Sequence, residues 1–154
     1  MTAVTNDKKT QQLDSESVIP RLVLCPLGIA DNVLAYAGTF AVFDSSGYIR
    51  PGRGGTSTDI AAGIFGNHYD NTITGHVAGG ASLGPILVFA GTFGFVNDTG
   101  GGAILATTAP GTDVYILDNQ TVTLTSGSNS KAGRLVVLDT TGIVYVTVYP
   151  AQPL

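Results

Sequence analysis

The side chains with which a small protein does chemistry are few in this sequence. Ser82 stands in Gly80-Ala81-Ser82-Leu83-Gly84, the G-x-S-x-G spacing of a nucleophile elbow, where a sharp strand-to-helix turn exposes the serine. The surroundings argue against an elbow. Pro85 and the strand-like Ile86-Leu87-Val88-Phe89 follow where a helix is required, and both histidines, His68 and His76, precede the serine instead of following it. A Gly-rich turn is the simpler reading. His68 and His76, with Asp59 and Asp70, are metal-ligating types, but their spacing fits no zinc signature and the single cysteine, Cys25, stands far away. Polar loop residues between strands explain them as well. Gly52-Arg53-Gly54-Gly55-Thr56 has the glycines of a phosphate loop without its Gly-Lys-Ser/Thr ending or its helix, so it reads as a plain loop. Asn97-Asp98-Thr99 and Asn119-Gln120-Thr121 match the glycosylation sequon by chance in a Thr-rich chain. Tyr36, Tyr69, Tyr115, Tyr145 and Tyr149 do not cluster with cations, so they read as sheet and rim residues and not as base-stacking platforms. No catalytic, cofactor-binding or metal-ligating residue is assigned. The expectation is a protein that is not an enzyme and carries no cofactor.

The elements available to position such groups are strands. The chain has 154 residues, enough for one domain with its own core. Charged residues make up only 12 %, Gly reaches 21 and Trp is absent, while Thr, Val, Ile, Tyr and Phe fill the ordered-looking stretches, the types that suit a pleated surface. A weakly charged, Thr-rich surface is common on proteins that bury much of themselves in an assembly. The net charge is -4 with no basic block, which argues against direct nucleic-acid binding, where phosphate neutralisation supplies most of the affinity. One cysteine excludes an intrachain disulfide and suits folding in a reducing cytosol. Met1 to Leu13 is polar and lacks an apolar h-region, so no signal peptide is expected. Val77 to Asn97 carries no charge, but its first half is rich in Gly and Pro and its apolar half falls short of the roughly 20 residues of a membrane span. No membrane association is expected.

Residues 1–21 differ from the rest. Asp7, Lys8, Lys9, Asp14 and Glu16 leave little to bury, so this arm cannot offset its ordering entropy and should be flexible when alone. Residues 22–154 read as a single β domain. A motif of small residue, Gly, strand, Asp or Asn, polar pair, Gly and strand recurs at Ala37–Ile49, Ala90–Gly101, Pro110–Leu124 and Ala132–Val148. Each copy reads as a β-hairpin, with Asp44, Asp118 and Asp139 bonding the turn backbone and Gly47, Gly100 and Gly142 supplying positive φ. Thr121-Val122-Thr123-Leu124-Thr125 and Val144-Tyr145-Val146-Thr147-Val148 alternate as half-buried strands do. Helical periodicity is absent, with at most a single turn around Ala103 to Thr108. The uneven spacing of the copies argues against a solenoid. The predicted class is therefore all-β: a small β-barrel or β-sandwich of successive hairpins with an extended N-terminal arm.

Three stretches carry a family resemblance. Ala35–Pro51 (AYAGTFAVFDSSGYIRP) with Thr58–Thr72 (TDIAAGIFGNHYDNT) forms the first, Ile86–Asn97 (ILVFAGTFGFVN) the second, and Pro110–Val148 the third, with Asp113-Val114-Tyr115, Asn129, Lys131, Gly133-Arg134 and Asp139 to Gly142 in order. From about Leu34 to Val148 the chain resembles the capsid decoration, or cement, proteins of tailed bacteriophages. The resemblance implies a compact, β-tulip-like fold and attachment to the major capsid protein on the outer surface of the virion. It also implies stabilisation of the head against internal DNA pressure, assembly as a homo-oligomer with a trimer favoured, and synthesis in the host cytoplasm. The arm has no counterpart in it. Its expected role is to reach a neighbouring subunit, since 20 extended residues span up to about 65 Å. Strand addition is expected at Val18, Ile19, Arg21, Leu22, Val23 and Leu24, where apolar residues resume. Competing readings are another phage structural subunit, of tail or fibre, and a carbohydrate-binding β module, which the lack of Trp disfavours.

Overall fold

The computed structural model describes residues 19–23, 28–72 and 86–148. Among them are eleven strands and no helix: β1 (Ile19–Val23), β2 (Leu34–Ala35), β3 (Phe40–Phe43), β4 (Ile49–Pro51), β5 (Ile60–Phe65), β6 (Tyr69–Asp70), β7 (Ile86–Asn97), β8 (Asp113–Ile116), β9 (Thr121–Thr123), β10 (Lys131–Leu138) and β11 (Ile143–Val148). The fold is all-β, as the sequence predicts. The expected boundary between arm and domain, at residues 21 and 22, falls inside β1.

Five strands close a barrel. The second half of β7 pairs with β11, β11 with β10, β10 with β8 and β8 with β9, all antiparallel. A short parallel pairing of β9 with β7, Val96 opposite Thr121 and Asn97 opposite Val122, completes the circle. The first half of β7 belongs to a flanking sheet of order β1-β7-β5-β3-β4. β2 and β6 form a separate two-stranded ribbon.

Alternation on β8 puts Val114 and Ile116 inward and Asp113 and Tyr115 outward. Phe93, Phe95, Val122, Leu135, Val144, Val146 and Val148 join them in the barrel core, and Ile104 enters from a loop. β3 (FAVF) and β5 (IAAGIF) do not alternate, because the flanking sheet is buried on both faces. Phe40, Val42, Ala61 and Ile64 join the barrel core. Ala41, Ala62 and Phe65 turn to a second core with Ile29, Val33, Ala35, Ile49, Tyr69, Ile86 and Val88. Phe40 and Phe95 stack with ring centroids 3.9 Å apart and planes 7° from parallel, joining the flanking sheet to the barrel. A Cβ on Gly63 would lie 2.3 Å from the Phe89 carbonyl oxygen, so only glycine lets β5 approach β7 this closely.

Three of the four expected hairpins form: β3–β4, β8–β9 and β10–β11. The copy at Ala90–Gly101 does not. Ala90 to Asn97 continues β7, and the turn that follows leads into a loop, because three successive glycines precede no strand-forming run. Gly100 also lacks the expected positive φ, in contrast to Gly47 at 84° and Gly142 at 86°. Its N–H donates to Asp98 Oδ1 at 2.8 Å while Asp98 Oδ2 accepts from Thr123 Oγ1 at 2.9 Å, which ties the turn to β9. At Ala103 to Thr108 the chain makes a non-helical turn, with Thr108 N–H donating to the Leu105 carbonyl at 2.9 Å.

Candidate functional site

Ser82, His76 and Cys25 lie outside the described residues. The other polar candidates have structural partners. Asp59, with a side chain 1 % exposed, receives a two-point ion pair from Arg53, Nε to Oδ2 at 2.8 Å and Nη2 to Oδ1 at 3.1 Å. This hydrogen bond raises the Arg53 guanidinium above its ordinary pKa, against the opposing cost of desolvation. Asp70 Oδ1 accepts from the backbone N–H and the hydroxyl of Thr72. His68 is exposed and meets Tyr36 edge-on, centroids 5.3 Å apart. Among the described residues no three His, Cys, Asp or Glu side chains converge as metal ligands.

The Gly52–Thr56 loop turns two of its amides to partners within the fold. Gly52 N–H donates to the Phe40 carbonyl at 2.9 Å and Gly55 N–H to Asn129 Oδ1 at 2.9 Å. A Cβ on Gly54 would sit 2.5 Å from the Leu117 carbonyl oxygen, so that glycine serves close packing. Asn97 uses both ends of its amide on Ile104, donating to its carbonyl at 2.8 Å and accepting from its N–H at 2.9 Å, and Asn119 is buried. Both sequons therefore hold structural asparagines.

Four aspartates organise turns. Asp44 Oδ1 accepts from the N–H of Ser46 and Tyr48, Asp139 Oδ1 from those of Thr141 and Ile143, and Asp118 Oδ1 from those of Gln120 and Thr121. Hydrogen bonds to the charged form lower a carboxyl pKa. Asp139 is held below the usual carboxylate value chiefly by the Thr141 side chain, and Asp98 chiefly by the Gly100 N–H.

Of the expected contact segment, Ile19, Arg21, Leu22 and Val23 lie in β1, while Val18 and Leu24 are outside the described residues. β1 adds to the chain's own β7, with Ile19 opposite Ala90, Arg21 opposite Val88 and Val23 opposite Ile86. Leu87 donates its N–H to Tyr69 Oη at 2.6 Å and accepts at its carbonyl from Gly66 N–H at 2.8 Å, so both its backbone groups face away from β1. Alternation along an antiparallel pair then gives the β1 hydrogen bonds to Ile86, Val88 and Ala90 and turns the backbone of Pro20 and Leu22 outward. Pro20, which has no N–H, thus lies on the side of β1 that pairs with no other described strand.

A second surface was not legible in the sequence. The starts of β5 and β10 flank an open groove of about 360 Å³ with Ile60, Ala61, Lys131 and Arg134 in its lining. Lys131 Nζ lies 2.8 Å and Arg134 Nε 3.7 Å from Asp113 Oδ1. The Lys131 hydrogen bond, more than the nearby charges, holds the Asp113 carboxyl below its usual range. Ile60 is 50 % exposed although it belongs to a strand. The cationic pair at i and i+3 was the available signal. Its convergence on Asp113 depends on the irregular β8–β10 register between Lys131 and Gly133. No protein-family model, curated protein or solved structure matches the chain.

Proposed function

We propose that this chain is a structural virion protein that binds the major capsid protein on the outside of a phage head and stabilises it. The observation that supports this reading is where the resembling stretches fall. ILVFAGTFGFVN is the single strand β7, common to barrel and flanking sheet, and the third stretch contains β8 to β11, which close the barrel on β7. The resembling stretches thus include the strands that frame the fold together with the turns that join them. Every described Phe and Tyr is buried or half-buried, which favours a protein partner over a sugar that stacks on exposed rings. Proteins of this kind work by bridging several shell subunits at once, where repeated modest contacts sum through avidity; a trimer suits that task.

The test is to mix the purified chain with undecorated heads, count bound copies and measure the temperature at which the heads release DNA. Saturable binding at many copies per head with a raised release temperature is expected. Absence of binding, or a handful of copies confined to one vertex or tail, overturns the reading.

A further inference from the structure

We infer that the groove between β5 and β10 is the docking site for an extended, carboxylate-bearing segment of the capsid subunit, an inference that rests on the function proposed above. Lys131 and Arg134 share one carboxylate, Asp113, so this wall keeps a surplus positive charge. Both cations remain open to solvent, with side chains 48 % and 61 % exposed. The surplus stands out on a chain whose net charge is -4. Beside the cations, half-exposed Ile60 offers an apolar footing. A partner carrying one acidic and one apolar side chain on the same face of an extended backbone matches both features.

The chain leading into one wall, up to Thr56, and the chain leading into the other, up to Ser130, are tied together before any partner arrives. Ser130 Oγ donates to the Thr56 carbonyl, Asn129 Oδ1 accepts from Gly55 N–H and Asn129 Nδ2 donates to the Thr125 carbonyl at 3.1 Å. Asp59, at the groove's margin, is already neutralised by Arg53 and adds little repulsion. Docking therefore spends little ordering entropy at this end of the groove.

The experiment compares head binding by the wild-type chain, Lys131→Glu/Arg134→Glu, the milder Lys131→Gln/Arg134→Gln, Ile60→Ser and Asp113→Asn, each with its melting temperature and its sodium chloride dependence. Charge reversal is expected to weaken binding by at least about tenfold and charge removal by less, and both should flatten the salt dependence. Ile60→Ser should weaken binding without altering that dependence, whereas Asp113→Asn should strengthen binding at low salt by freeing both cations. A wild-type chain that ignores heads overturns both the function and this inference. Wild-type binding that the folded Gln and Glu variants match, with the same salt dependence, overturns the groove alone. Loss of self-association in those variants, with head binding intact, also overturns it, because the occupant would be a second copy of this chain.

Discussion

The barrel and the sheet beside it share β7, yet they solve the edge problem differently. In the barrel, β7, β11, β10, β8 and β9 pair in a closed circle, so no strand there ends the array. Among the described strands, the flanking sheet ends at β1 on one side and at β4 on the other, where the β4 edge is covered by a parallel bridge between Ile29 and Ile49. At β1 the outward backbone includes Pro20, which lacks a donor. Closure removes an edge, whereas proline only blunts one. The cores differ in the same way. The barrel core is surrounded by paired strands, while the second core has over it the two-residue strands β2 and β6 and the segment around Ile29 to Val33.

Truncation in the two cores gives the largest expected effect. Phe95 is fully buried and stacked on Phe40, so Phe95→Ala should cost about 3–5 kcal/mol in urea unfolding followed by circular dichroism. Phe65, in the second core near Tyr69, should cost less on truncation, and hydrogen exchange should show that core opening before the barrel. An equal or larger loss for Phe65→Ala would break the comparison.

The twin hairpin turns come next, one in each region. Gly47 and Gly142 both hold left-handed φ, and each donates its N–H to the aspartate three residues earlier. Gly47→Val and Gly142→Val should each cost about 1–3 kcal/mol, because a β-branched residue is strained there. Ser46→Ala should be near neutral, since Ser46 is exposed and serves the Asp44 turn through its backbone N–H. Matching melting temperatures for Gly142→Val and Ser46→Ala would count against the turn geometry.

Acid should act more on the barrel than on the flanking sheet. Asp98, Asp113 and Asp139, all attached to barrel strands or their turns, have folded pKa values below the unfolded value. Their stabilisation is therefore fully present above the unfolded carboxylate pKa of about 3.9 and is lost as pH falls through the lower folded values. The melting temperature should stay level from about pH 7 to 5 as far as these groups are concerned and decline below about pH 4. Asp139→Ala should lower the melting temperature at neutral pH and shrink that acid decline. An unchanged acid decline in this variant would remove Asp139 from the explanation.

The smallest effect is expected at the blunted edge. Pro20→Ala restores an outward N–H without changing the pairing to β7, so folding stability should shift by no more than about 0.5 kcal/mol. Self-association at high concentration should rise, as light scattering would detect. Unchanged scattering would mean that Pro20 does not guard the edge.

Local chemistry was readable wherever a few neighbouring residues determine the outcome. Asp44 with Gly47 and Asp139 with Gly142 specify their turns because one carboxylate reaches backbone donors two and four residues on and only glycine relaxes at the position between. The all-β class follows equally from β-branched and aromatic runs without helical period. Asp98-Thr99-Gly100 imitates the same signal, but its carboxylate is drawn to Thr123, distant in sequence, and the expected hairpin becomes a long strand and a loop. Tertiary structure alone decided that β7 serves two sheets, that the barrel closes through a parallel pair, and that Asp113, Lys131 and Arg134 meet beside Ile60. These features depend on register between strands far apart in the chain, and register is set by which apolar faces can be buried together, a property that no local stretch of sequence contains.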